Sequence, residues 1–113
     1  MKGLVQFLEF NCDRFFADKR LVFVKADLWQ ENEQIIGSKI TGQIVDDKTA
    51  YTKEGTTNFG EQFVVKVRGV DPSSFAKLKP LGTEIIISDV ERATVYGEYR
   101  NSLSIIATVK VVQ

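Results

Sequence analysis

Histidine is missing from this 113-residue chain, and cysteine occurs once, at Cys12. One cysteine excludes an internal disulfide and a cysteine-cluster metal site. Without histidine the usual zinc sites and the commonest general base are also gone. No Walker-type glycine loop and no nucleophile motif is present. Acidic pairs do occur, at Asp46–Asp47 and at Glu31 and Glu33, but acids in turn-like sequence are ordinarily solvated. A magnesium-dependent nuclease using Asp46, Asp47 and Asp89 is the catalytic reading left open. The expectation is a protein that is not an enzyme and carries no cofactor.

Long apolar runs are missing too: none approaches the roughly 18–20 residues that span a bilayer. The opening residues MKGLVQFLEFNCD hold one lysine and a broken apolar stretch with Glu9 inside it, a poor signal peptide. A cytoplasmic protein without a membrane partner is therefore expected. Net charge is absent as well, with 15 basic and 15 acidic residues and a pI near 6.3. Domains that bind nucleic acid by bulk charge often have a pI above ~9. A neutral chain argues against that mode and leaves room for a local basic stripe. At 43% hydrophobic and 27% charged residues the composition is that of an ordinary globular protein, and the length suits one domain, 1–113.

What is present is alternation with period two. Residues 21–29, LVFVKADLW, put Val22, Val24, Ala26 and Leu28 on one face, expected to be the core face, and Leu21, Phe23, Lys25, Asp27 and Trp29 on the other. ENEQ supplies a polar turn. KITGQIV (39–45) sets Ile40, Gly42 and Ile44 inward, and a glycine inside a strand marks a bend or a close backbone approach. Residues 62–69 alternate Phe63, Val65 and Val67 against Val64, Lys66 and Arg68. In DPSSFAKLKPLG, Asp71 caps a short helix that starts at Pro72, sets Phe75 and Leu78 three apart on one face and stops at Pro80 and Gly82. Residues 84–99 form a long strand whose alternation slips near 89–92, where a bulge is expected. EYRNS turns the chain, and 103–112 close with Leu103, Ile105, Ala107, Val109 and Val111 inward. Residues 1–18 fit a strand or a helix lined by Leu4, Leu8, Cys12 and Phe15; the strand is preferred.

The order is strand, strand, long loop, strand, short helix, strand, strand. A mostly-β, five-stranded Greek-key barrel with its helix between the third and fourth strands is the oligonucleotide/oligosaccharide-binding (OB) architecture. An open antiparallel sheet carrying one helix is the alternative.

Residues 45–67, VDDKTAYTKEGTTNFGEQFVVKV, hold a long loop with two aromatics and two lysines. Long loops in compact domains are usually functional or disordered. Beside it, the non-core faces carry Phe23, Lys25 and Trp29, then Lys39 and Thr41, then Lys66 and Arg68. Aromatics interleaved with cations suit single-stranded nucleic acid, because bases stack on flat side chains while lysines follow the phosphates. Tyr51 and Phe59 are then candidate stacking residues, and Lys48 and Lys53 candidate phosphate contacts. Plainer roles stay open: Trp29 as a cap on the barrel end, Phe23 in a small core under the N-terminal segment, Lys66 and Arg68 as a solvated face, and Tyr51 and Phe59 folded back on the barrel.

The stretch KITGQIVDDKTAYTKEGTTNFGEQFVVKV resembles small single-stranded-DNA-binding-type proteins of phages, plasmids and conjugative elements. The following GVDPSSFAKLKPLGTEIIISDVERATVYGEYRNSLSIIATVKVV is similar to the C-terminal half of YdcP-like conjugative-element proteins. The likeness covers residues 38–112 and departs in the first twenty residues and in the acidic tail by which prototypical members recruit partners. It implies an OB fold and binding of single-stranded DNA with little sequence preference, in replication or transfer of a mobile element. Self-association is plausible through an exposed strand edge. The competing reading is an OB-fold interaction subunit of a phage or conjugation machine, with Ile35–Ile36 and Phe15–Phe16 as its interface.

Overall fold

The structure, a computed structural model, describes residues 12–48, 57–96 and 102–112. A short helix, α1 (Cys12–Phe16), leads into β1 (Lys19–Glu31), β2 (Gln34–Asp47) and β3 (Gln62–Arg68). One 3-10 turn (Pro72–Phe75) precedes β4 (Glu84–Tyr96) and β5 (Ser102–Val111). The strands join in the order β1-β2-β3-β5-β4, and β4 returns to β1, so the sheet closes on itself. Every pairing is antiparallel except β3 with β5. The expected mostly-β, five-stranded chain with a short helical turn between the third and fourth strands is therefore what forms.

Local chemistry explains the joints. Asn32 and Glu33 both have positive φ, 50° and 64°, between the paired Glu31 and Gln34. Two such residues make the turn whose twist matches that of the flanking strands. Asp71 caps the 3-10 turn as expected, its carboxylate accepting from the Ser73 N–H at 2.8 Å. That hydrogen bond holds the carboxyl below its ordinary range. Leu81 N–H donates to the Phe23 carbonyl at 2.7 Å and Phe23 N–H to the Thr83 carbonyl at 2.8 Å, which ties the segment after the turn to β1.

The core fills the ring with Leu21, Phe23, Ile40, Ile44, Phe63, Val65, Val67, Ile85, Ile105 and Ala107. A Cβ on Gly42 would lie 2.6 Å from the Phe63 ring, so the glycine marks the close approach that its place in the strand suggested. On β4 the pairing jumps from Ser88↔Thr108 to Arg92↔Ile106, four residues against two, with Asp89 at φ 48°. This is the bulge expected from the slipped alternation. Val111, expected inward, is exposed at the strand end.

Two expectations are corrected. Residues 12–16 are helical, and residues 1–11 lie outside the described part. Phe15 and Phe16 are both buried, with ring centroids 5.0 Å apart, and Phe16 sits 5.1 Å from Phe63. A helix turns only about 100° per residue, so adjacent rings can both reach the core, whereas a strand would send one of them outward. That burial also removes Phe15 and Phe16 from the proposed interface. The second correction is Phe23, which is 4% exposed and stacks with Phe75 at 6.5 Å. The register of β1 against β2 shifts between Phe23 and Lys25, so a bulge at Val24 reverses the facing. Leu21 and Phe23 point inward before it, while Ala26 packs on the core after it and Leu28 is exposed.

No helix among the described residues is long and apolar enough to cross a membrane.

Candidate nucleic-acid interface

Beyond the bulge, the register stacks side chains across three strands on the outside of the ring. Lys25 lies opposite Thr41 and Thr41 opposite Val64; Asp27 is followed by Lys39 and Lys66, and Trp29 by Gly37 and Arg68. Residues opposite one another share a face. Ile40, Val65 and Val67 hold the other face, in the core. The structure thus brings together Lys25, Trp29, Lys39, Lys66 and Arg68 from the sequence reading and leaves Phe23 out.

Trp29 is on that outer face, outside the core cluster, yet only 3% exposed. Lys66 Nζ stands 5.3 Å and Arg68 Cζ 5.2 Å from its ring. Its Nε1–H donates to Glu31 at 3.3 Å. The strands approach closely here, because a Cβ on Gly37 would run into the Val67 carbonyl. An exposed stacking platform was expected; the indole is instead a base plate that holds two cations by their attraction to its π face. Arg68 is further held by Glu91, whose carboxylate accepts from Nε at 2.7 Å. Glu91 sits in the β4 bulge, so that irregularity reaches the face through Arg68.

Charge on this surface is unevenly compensated. Lys25 pairs with Asp27 at 3.5 Å and Arg68 with Glu91. Lys39 and Lys66, both half-buried, have no ion-pair partner among the described residues. A net positive strip therefore runs over β2 and β3 although the whole chain is neutral.

At the other end of β2, Phe59 is 65% exposed, its N–H donating to the Thr57 hydroxyl at 3.1 Å. Gly60 N–H donates to the Ile44 carbonyl at 2.7 Å, which fixes this corner to the strand. From Gly37 to Ile44 is about 23 Å at the usual rise per residue. The cation-covered indole and the exposed phenyl therefore lie toward opposite ends of β2. Lys48 is exposed at the root of the same loop, 3.9 Å from Asp46. Tyr51 and Lys53 lie outside the described residues.

Sequence reasoning missed a buried clasp beneath that root. Lys19 has a fully buried side chain, 3.4 Å from Asp47 and 3.6 Å from Asp18. It donates to the Phe15 carbonyl at 2.7 Å and stands 3.9 Å over the Phe15 ring. Asp47 in turn accepts from the N–H of the buried Asn58 at 2.8 Å. Asp47 begins the long loop and Asn58 ends it, so one carboxylate draws both ends together. In the sequence Lys19 stands in DKR, a run that looks solvated, and nothing local signals its burial.

No family model, curated protein or solved structure matches the chain. Among the described residues no three metal-ligating side chains cluster.

Proposed function

We propose that the protein binds single-stranded DNA with little sequence preference, along the outer face of β1, β2 and β3, and that the closed sheet is a Greek-key OB barrel. The observation that carries this reading is the strip itself: Lys39, Lys66 and Arg68 on adjacent strands, the last two over Trp29, with exposed Phe59 about 23 Å further along β2. Cations spaced along a groove follow a phosphate backbone, and an exposed ring offers a base its face. With zero net charge, binding per monomer is expected to be weak, in the micromolar range, and strengthened by clustering along the strand. The sequence resemblance supports a role in replication or transfer of a mobile element.

The test is fluorescence anisotropy with oligo-dT, oligo-U and duplex DNA at two salt concentrations. Binding of oligo-dT that weakens steeply with salt, as counterion release requires, is the expected result. Equal affinity for duplex, or no binding at low salt, would sink it. The protein-interaction reading retains Ile35, 66% exposed beside the β1–β2 turn. An apolar interface there would respond little to salt.

A further inference from the structure

β3 and β5 are the least continuously joined neighbours in the ring apart from the seam between β1 and β4. Their pairing comprises Val65↔Ile105 and Lys66↔Ile106. Beside it a groove of about 450 Å³ opens, lined by Lys39, Val64, Lys66, Thr94, Leu103, Ser104 and Ile105. That volume falls in the roughly 300–1,000 Å³ range of small-ligand sites. Val64 on the outer face and half-buried Leu103 give it an apolar wall, Ile105 lies buried beneath it in the core, and Thr94 and Ser104, paired across β4 and β5, add two hydroxyls. At the rim stand Lys39 and Lys66, neither of which a carboxylate neutralises among the described residues. Asp27, the register neighbour of Lys39, is drawn to Lys25 instead.

We propose that this groove is a pocket for one nucleotide, its base against Val64 and Leu103 and its phosphate on Lys39 and Lys66. The inference deepens the single-strand reading and rests on it for the source of the nucleotide. A flat apolar ring with a hydrogen-bonding edge and an attached anion matches all three kinds of lining. An aliphatic anion would leave the hydroxyls unused. Lys66 serves both the groove and the Trp29 plate, so the pocket sits midway on the strip rather than apart from it. A bound strand would turn one base inward there, and the two hydroxyls would give that position a base preference that the rest of the strip lacks.

The experiment titrates wild type, Val64→Trp and Lys39→Ala with thymidine monophosphate, followed by amide NMR shifts, and with oligo-dT, followed by anisotropy. Val64 is 40% exposed on the outer face, so a larger ring there fills the groove without entering the core. Lys39→Ala carries the same test should the bulkier variant misfold. The mononucleotide is expected to shift the amides of Val64, Ser104 and Ile105 in wild type only. Val64→Trp is expected to bind oligo-dT about tenfold more weakly, the scale of one lost base contact. Lys39→Ala is expected to bind it more weakly with a shallower salt dependence, as loss of a phosphate contact requires. Undiminished oligo-dT binding by a folded variant overturns the pocket and leaves the single-strand reading intact. Mononucleotide binding at the groove without oligo-dT binding supports the pocket and overturns the strand as its source. Binding of neither overturns both.

Discussion

Lys19 and Lys66 each stand over an aromatic ring, at 3.9 Å from Phe15 and 5.3 Å from Trp29, yet the two sites do opposite things. Around Lys19 water is excluded, and the amine is surrounded by Asp47, Asp18 and the Phe15 carbonyl. Around Lys66 water has access, and no acid stands within ion-pair distance among the described residues. Removing a charge from water costs several kcal/mol unless partners replace the solvent. The buried lysine is therefore committed to structure, tying α1 to both ends of the long loop. A half-exposed lysine can stay unpaired at little cost, and its charge remains available to a ligand.

The sharpest way to break this contrast is at the clasp. Lys19→Met leaves the Asp47 carboxylate buried without its cation and is expected to destabilise the fold by about 3–5 kcal/mol. Urea unfolding would measure it, and Lys19→Met with Asp47→Asn should recover part of the loss. A cost of about 1 kcal/mol or less would mean that the clasp behaves as a surface pair.

At the strip the readout should move from stability to binding. Phe59→Ala is expected to weaken oligo-dT binding by about 1–3 kcal/mol, with the melting temperature nearly unchanged because the ring is 65% exposed. A large drop in melting temperature at constant affinity would place that ring in the fold instead.

Smaller still are the effects of uncovering Trp29. Lys66→Ala or Arg68→Ala should cost about 0.5–1 kcal/mol of stability. Either should shift the emission of the single tryptophan to the red as water reaches the indole. Each should also lower the salt slope of oligo-dT binding by roughly 0.7, the share of one phosphate contact on a single strand. An unmoved spectrum in both variants would show that other groups cover the ring.

Smallest is a control remote from both sites, the cap at Asp71. The Ser73 N–H lowers this carboxyl's pKa in the folded state, so its contribution is complete above the unfolded value, about 3.9, and fades as pH falls through the folded one. The stability gap between wild type and Asp71→Ala should stay constant from neutrality to about pH 5 and narrow below about pH 4. A gap that widened in acid would reverse the assignment.

Much of this was legible in the chain because it is encoded locally. Alternation announced the strands, the Asp71-Pro72 pair announced the capped turn, and the slip at 89–92 announced the β4 bulge. Lys39, Lys66 and Arg68 were placed on the outer face by parity alone, and the register bears that out. Parity failed at Phe23, because a bulge at Val24 inserts one residue and exchanges the two faces of everything before it. LVFVKADLW alternates apolar residues on both faces across that point, so the insertion leaves no break in the pattern.

By itself, then, the sequence determined the strand content, the turn chemistry and the outward side of β2 and β3, since each depends on neighbours within a few residues. Only the tertiary structure decided that Phe23 is core, that Trp29 lies under its own cations, and that Lys19 and Asp47 meet in the interior. Those outcomes depend on residues far apart in the chain: Arg68 lies 39 positions from Trp29, and Asp47 lies 28 from Lys19. Whether a charge or a ring keeps its water is set by what the closed sheet folds against it, and no local pattern carries that information.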